Sequence, residues 1–449
     1  MTRSMLLISA LLFIREFSIA QSNSIEKGLD SIFGTFSQSE PGCAVLVAKG
    51  DKILYEKGFG SADLELNVDM TPGMVFKLAS ITKQFTAVAI LQLHEQGKIS
   101  LKDSIQKFIP DYPLHSNPIT IENLLTHTSG IPDYMQIDYR SQNMERWDFS
   151  PRQLIDSFKN YPLQFAPGSK YAYSNSGYYL LGYIIEMVSG KKYEDYLQER
   201  ILNPLGLSHT YFDRDGGIIP GRVNGYRREG SEFRNADYWS PSIAYAAGGL
   251  LSNTEDLYKW FRGLLANKLI KKETLEKAFT PFKLSGGSFT NYGYGWQVFS
   301  TGRNQSIEHG GHMNGFITSL VYYPEQEIFI TLLFNSEDAP KDEMSTKISE
   351  LVLGVSLHKE VKQSLNNLVE YAGTYRLATD KERTIEIVLE GEKLMARIPG
   401  QATFEIVFEE ESKFGFKNVK EISGTFIKEN GKVTKMVIEQ NGRFVWEKN

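Results

Sequence analysis

Cysteine is almost missing from this sequence: Cys43 stands alone in 449 residues. No intramolecular disulfide can form, so the fold must be held by packing and hydrogen bonds. Cys43 sits in the apolar run Gly42-Cys43-Ala44-Val45-Leu46-Val47, which reads as a buried strand. It is taken as a small core residue, neither nucleophile nor ligand. An excess of one charge is also missing. Lys and Arg number 49 against 54 Asp and Glu, a formal charge of -5 that gives no reason to expect nucleic acid as a partner. No apolar run approaches the roughly 20 residues that a membrane-spanning helix needs. There is no internal repeat and no low-complexity tract. What remains is ordinary globular material, 41% hydrophobic and 23% charged, long enough for two or three domains.

The first residues read as an export signal. Arg3 gives a positive start, Met5 to Ile14 a short apolar core, and Ser18-Ile19-Ala20 small residues where a signal peptidase cuts. Arg15 and Glu16 interrupt the approach. Export without disulfides fits a bacterial periplasm or a secreted fraction, with cleavage near Ala20. No cysteine stands there to carry a lipid.

From Pro41 the pattern is strand, turn, strand, with Lys49-Gly50-Asp51-Lys52 as the hairpin turn. An apolar segment then opens at Ser80 and stops at Gly97, with Phe85, Val88, Ala89 and Leu93 at helical spacing. Ile121 to Gly130 predicts a short helix ending at glycine. A helix capped from Ser252 or Thr254 is predicted up to Leu265, and Tyr292 to Val298 begins a strand-like segment. Thr318 to Tyr323 and Ile328 to Asn335 are apolar strands, and Lys341 to Leu353 a closing helix. Past Ser356 the pattern turns to short alternating strands, with hairpin signals at Asn430-Gly431 and Asn441-Gly442. Strands, then helices, then strands again point to an α+β fold whose sheet draws on both ends of the chain. The expected divisions are a signal at 1–20, a main domain at 21–355 and a small β-barrel at 363–449.

Within that frame the tetrad Ser80-Ile81-Thr82-Lys83 carries chemistry. Positions three apart share a helix face, so Lys83 lies one turn beyond Ser80. A serine hydroxyl is a weak nucleophile until a neighbour takes its proton, and a shielded amine has its pKa lowered toward that task. The tetrad alone decides nothing, because Ser-x-x-Lys also occurs at Ser24/Lys27, Ser104/Lys107, Ser189/Lys192 and Ser356/Lys359. Only Ser80 opens a long apolar helix. Tyr173-Ser174-Asn175 is the one Tyr-x-Asn in the chain, and a phenol beside a cation can hold or pass a proton. His127 could serve as a base, but a buried histidine bonded to backbone at a helix end is the favoured reading.

Ser80-x-x-Lys83, Tyr173-x-Asn175 and His309-Gly310-Gly311 leading into a strand stand in that order. Together they resemble the serine β-lactamase and penicillin-binding-protein-like family, in the class C-type branch that includes D-aminopeptidases, DD-peptidases and carboxylesterases. The resemblance covers roughly residues 25 to 355 and takes in Thr126-His127-Thr128-Ser129-Gly130 and Gly248-Gly249-Leu250 as structural positions. No Ser-Asp-Asn is present, so the class A branch fits poorly. The β-rich tail resembles the lipocalin-like domain that follows the catalytic domain in some members.

The resemblance implies an antiparallel sheet flanked by helices, an all-helical region, and Ser80 as the acylated nucleophile. Lys83 and Tyr173 would share the base role, and Asn175 would bind substrate or orient Lys83. Backbone N–H groups of Ser80 and His312 would form the oxyanion hole, with Gly310 and Gly311 letting substrate lie close to the strand. One departure stands out. The third motif usually begins with lysine, and here it begins with His309, mostly neutral near pH 7. That shifts weight from β-lactam hydrolysis toward a peptide or amide, D-residues included, with a carboxylic ester close behind. His309 would then border the site at the mouth of the oxyanion hole. No cofactor or metal enters this chemistry; the partner is a small-molecule or peptide substrate. A class C-type β-lactamase and a non-catalytic envelope receptor for cell-wall fragments or β-lactams remain as alternatives, and the oligomeric state stays open.

Overall fold

The computed structural model describes residues 24–449 except 114–117, 137–143, 215, 302–303, 356, 358–360, 362, 401–402, 418 and 440–442. The expected export signal, the boundary at Ser356 and the Asn441-Gly442 turn lie outside the described residues.

A six-stranded antiparallel sheet draws on both ends of the chain. Its strands are β1 (Cys43–Lys49), β2 (Lys52–Phe59), β3 (Gln297–Thr301), β4 (Asn304–Met313), β5 (Phe316–Tyr323) and β6 (Ile328–Phe334). Their order is β3-β4-β5-β6-β1-β2. Strand β1 is buried on both faces, and its period-2 alternation divides two cores. Ala44, Leu46 and Ala48 face the helical region; Cys43, Val45 and Val47 face the terminal helices. Cys43 is thus a buried core thiol, as expected. Leu29 and Phe33 of the helix at residues 24–33, with Met344 and Ile348 of a later helix, cover that second face. The Gly50-Asp51 turn between β1 and β2 is left-handed at Gly50 (φ 55°), where glycine carries no steric penalty.

The other face packs on helices. The central one, α1 (Thr82–Glu95), is buried continuously from Thr82 to Leu93, which explains its apolar residues on every side. Phe85 stacks on Trp260 with ring centroids 3.9 Å apart. Around it lie α2 (Asn175–Ser189) and α3 (Pro241–Gly248). The far side of the sheet carries α4 (Lys341–Leu353), as predicted. Three boundaries differ from expectation. The helix predicted to end at Gly130 spans Ile121–Leu125, because His127 adopts a left-handed φ of 56°. The helix Thr254–Leu265 is capped by Asn253, whose side chain accepts from the Asp256 N–H, so neither neighbouring hydroxyl is needed. The strand expected from Tyr292 starts at Gln297.

After α5 (Leu365–Tyr371), eight antiparallel strands close into a barrel in chain order. They are β7 (Gly373–Leu377), β8 (Asp380–Glu390), β9 (Lys393–Arg397), β10 (Phe404–Phe408), β11 (Lys413–Phe416), β12 (Val419–Glu429), β13 (Lys432–Glu439) and β14 (Arg443–Lys448). The Asn430-Gly431 turn has both residues at positive φ, 50° and 77°, the backbone that matches a two-residue hairpin to strand twist. This is the lipocalin-like architecture, and eight strands leave room only for side chains or one small ligand. Side chains fill it. Tyr371 of α5 stacks on Phe426, centroids 4.4 Å apart, among Phe408, Phe414 and Trp446. A cavity of about 140 Å³ lies between the two units, lined by Val419 of β12, Gly310 of β4 and Lys341 of α4.

Candidate active site

Ser80 lies on a single 3₁₀ turn, Ala79–Ile81, immediately before α1. The turn is strained: Ala79 has φ 48°, a left-handed backbone that costs a non-glycine residue about 1–2 kcal/mol. Three contacts hold it there. The Leu78 N–H donates to the Leu250 carbonyl (2.8 Å), and Thr318 Oγ1 donates to the Leu78 carbonyl (2.9 Å). Gly311 supplies the third, because its bare backbone allows β4 to lie directly against the Leu78-Ala79 segment.

Lys83, one turn on, is fully buried. Its Nζ makes three hydrogen bonds: to Ser80 Oγ at 3.0 Å, Asn175 Oδ1 at 2.8 Å and the Ala247 carbonyl at 2.8 Å. Burial pulls its pKa down to about 7, with Asp133 pulling the other way. The Ala247 carbonyl reaches the amine because α3 breaks at Tyr245 (φ 37°, ψ -126°), which turns the chain toward α1. Thr86 Oγ1 holds the adjacent Ala246 carbonyl at 2.7 Å.

Tyr173 and Asn175 arrive at the start of α2. Lys83 Nζ lies 4.8 Å from the Tyr173 ring centroid. Burial holds the Tyr173 phenol well above its ordinary pKa, and its interaction with Ser80 offsets this only in part. Ser80 thus has two side-chain hydrogen-bond partners, Tyr173 and Lys83, whose Nζ donates to its Oγ. His127 is buried and accepts from the Ser174 N–H on Nδ1 (3.1 Å), so it fixes the backbone between Tyr173 and Asn175. Its ring lies 4.2 Å from that of Tyr173. Burial keeps it neutral, so it holds the site together structurally.

The third motif lies on β4. Strand β3 covers β4 only up to Glu308, so residues 309–313 pair with β5 alone and leave the other edge open. His312 is exposed on this stretch and Gly311 buried. His309 is placed differently from expectation: it is 3% exposed and turned into the protein. Its Nδ1 lies 2.6 Å from the Gly310 carbonyl, which can only accept, so Nδ1 carries the proton. Nε2 therefore accepts from the Tyr292 hydroxyl at 2.8 Å. Burial, with Lys83 nearby, lowers its pKa to about 3. Both nitrogens are committed within the protein.

Ser80, Lys83, Tyr173, Asn175 and the open stretch of β4 thus converge. Sequence reasoning missed three participants. Asp133 was one more polar residue in an irregular stretch; its only signal was its place directly after Gly130-Ile131-Pro132. The Ala247 carbonyl has no side-chain signature. Tyr292 lies in the run Tyr292-Gly293-Tyr294-Gly295-Trp296, which read as the start of a strand. Among the described residues no cluster of three or more metal-ligating side chains occurs, and no helix is long and apolar enough to cross a membrane.

The sequence profile described as Beta-lactamase matches residues 24–353. Penicillin-binding protein 4* of Bacillus subtilis is 28% identical over 416 residues, 86% of this chain and 91% of that protein. The putative penicillin-binding protein PbpX of the same organism is 32% identical over 69% of this chain and 75% of its own length. Among solved structures, an octameric penicillin-binding protein homologue from Pyrococcus abyssi superposes with a TM-score of 0.66 at 26% identity, covering 95% of this chain and 99% of that one. The fold is shared with a D-amino acid amidase from Ochrobactrum anthropi, TM-score 0.64 at 24% identity over 75% of this chain and 99% of the other. With the profile spanning most of the chain, this protein belongs to the beta-lactamase family and is a serine hydrolase of that family.

Proposed function

We propose that the chain cleaves a peptide or amide, D-residues included, through an acyl-enzyme on Ser80, with carboxylic esters as the next substrate class. The observation that carries this reading is the set of partners around Lys83. A neutral amine has two N–H bonds and one lone pair. Asn175 Oδ1 and the Ala247 carbonyl face Lys83 as acceptors and take the two N–H bonds. The ammonium donates its third N–H to Ser80 Oγ, 3.0 Å away; in the neutral amine that direction is left to the lone pair, which can take the Ser80 proton. With a pKa of about 7, a large fraction of Lys83 is neutral near physiological pH.

The steps follow. Ser80 Oγ gives its proton to Lys83 as it bonds to the substrate carbonyl carbon. The oxyanion rests on the N–H groups of Ser80 and His312. The C–N or C–O bond breaks, and the leaving group takes a proton from Tyr173, a neutral phenol because burial disfavours its anion. The Lys83 ammonium restores the Tyr173 proton. Water then attacks the ester in the reverse sequence and frees Ser80. The penicillin-binding names of the curated relatives favour a peptide-like substrate.

A p-nitrophenyl ester should release a burst of nitrophenolate equal to the enzyme present, followed by steady turnover. A non-catalytic receptor would give no turnover. D- and L-aminoacyl anilides, p-nitrophenyl esters and nitrocefin, assayed side by side, separate the substrate classes. Export rests on residues 1–20, and the mature protein from a bacterial host should begin after Ala20.

A further inference from the structure

Asp133 is buried in the loop after the Thr126–Gly130 segment, and both its carboxylate oxygens are occupied. Oδ1 accepts from the Met135 N–H at 3.1 Å, and Oδ2 accepts from Asn175 Nδ2 at 3.0 Å. Asn175 presents its other face, Oδ1, to Lys83. Burial pushes the Asp133 carboxyl above its ordinary pKa, while the Met135 N–H, the Lys83 charge and the Asn175 amide pull it back; as a carboxylate it can only accept, so it dictates which way the Asn175 amide points.

The direction matters for the chemistry. With the amide reversed, Asn175 would donate an N–H into the lone pair of neutral Lys83. The amine would then turn N–H bonds toward Ala247 and Ser80, and no lone pair would face the serine proton. Lys83 alone does not choose between the two arrangements, because a neutral amine both donates and accepts. Asp133 does. We propose that Asp133 is a positioning residue for acylation, locking the Asn175 amide so that the Lys83 lone pair is free for Ser80. The inference rests on Lys83 being the base.

The charge of Asp133 adds a second effect. Among the described residues, the groups around Lys83 include Ser80, Asn175, the Ala247 carbonyl, and the rings of Tyr173 and Tyr178 at 4.8 and 5.6 Å. His127 and His309 lie close enough to feel its charge. Burial keeps both tyrosines as phenols and both histidines neutral. Asp133 is the carboxylate acting on Lys83, and it holds the amine's proton on against burial. Removing that charge makes the proton leave more readily, so Lys83 becomes a base at lower pH.

Asp133→Asn tests both effects, read from the pH profile of kcat/KM with a p-nitrophenyl ester. The Met135 N–H keeps the one remaining oxygen, so the new amide turns its NH2 toward Asn175 and the lock is lost. The plateau should fall about tenfold to a hundredfold, the effect of losing one charge-assisted hydrogen bond. The acid limb should move down by about one unit. A purely structural role would lower the melting temperature and leave the acid limb in place, and that result would overturn the proposal. A wild-type plateau would overturn it too. Should Asp133→Asn not fold, Asn175→Ser removes the amide and keeps the Asp133 charge. Its plateau should drop at least tenfold with the acid limb unmoved; an undiminished rate would show that the amide needs no lock. Absence of any burst in wild type would instead count against Lys83–Ser80 catalysis itself.

Discussion

Gly311 and Leu78 lie so close that a β-carbon added to the glycine would stand 2.2 Å from the Leu78 carbonyl oxygen. The same carbon would be 2.4 Å from Thr318 Oγ1 and 3.0 Å from Ala79 Cβ. The second glycine of the His-Gly-Gly motif is therefore what lets the strained turn carrying Ser80 rest on strand β4. Gly311→Ala must push the turn off the strand or break the Thr318–Leu78 hydrogen bond. Activity should fall at least a hundredfold, since misplacement of about 1 Å has that effect. Steady-state kinetics beside a melting curve checks it; a variant of near wild-type kcat/KM would show that the turn tolerates the shift.

Lys83→Ala and Tyr173→Phe should each slow acylation by several orders of magnitude. The double variant should be scarcely slower than the worse single one, because groups passing one proton act as a unit. Stopped-flow burst rates on the three variants measure this. If the losses multiply, the two residues do not share the proton.

His309→Lys tests the third motif. A lysine there would enter a buried position beside Lys83 that offers Tyr292 and the Gly310 carbonyl as partners. Burying an uncompensated charge costs about 3–5 kcal/mol. Stability and all activities should fall together, with no gain for carboxylate-bearing substrates over neutral ones. Rates on a nitrophenyl ester and on nitrocefin decide it; a shift in their ratio toward nitrocefin would mean that residue 309 reaches the substrate.

The same histidine should leave a mark on acid stability. Its folded pKa of about 3 lies below the unfolded value near 6.5, so the unfolded chain binds its proton first. The contribution of neutral His309 is therefore complete above about pH 6.5 and is lost progressively as pH falls toward 3. His309→Gln should flatten the fall of unfolding free energy across that window in urea titrations. An unchanged slope would place the acid sensitivity elsewhere, His127 being the next candidate.

The barrel should influence specificity without supplying chemistry. Val419 lines the cavity that also holds Gly310 and Lys341. A chain ending at Leu353 retains Ser80, Lys83, Tyr173 and β4. It should fold and hydrolyse small nitrophenyl esters while its preference among larger amides changes. Gel filtration and a substrate panel check this; an insoluble product would show that the two units depend on each other.

Much of this was legible because local patterns agree with the final packing. Strand β1 alternates between two apolar cores, α1 is apolar all round because it is surrounded, and Asn430-Gly431 demands the turn it makes. The motif residues were legible for the same reason, since Ser80 and Lys83 are neighbours along one helix turn. What stayed hidden depends on contacts far apart in sequence. Asp133 gains meaning only from Asn175, and the Ala247 carbonyl only from the kink at Tyr245. The burial of His309 follows from its bond to Tyr292 and from the face of β4 it occupies, which the residue type does not reveal.

Every step of the proposed chemistry passes through an acyl-enzyme on Ser80. A fluorophosphonate probe, followed by intact mass and peptide mass spectrometry, tests it most directly. One adduct per chain is expected, located on Ser80 and abolished in a folded Ser80→Ala variant whose turnover has fallen by several orders of magnitude. A folded, unlabelled wild-type protein, an adduct on another residue, or a Ser80→Ala variant that still turns over near the wild-type rate would contradict it.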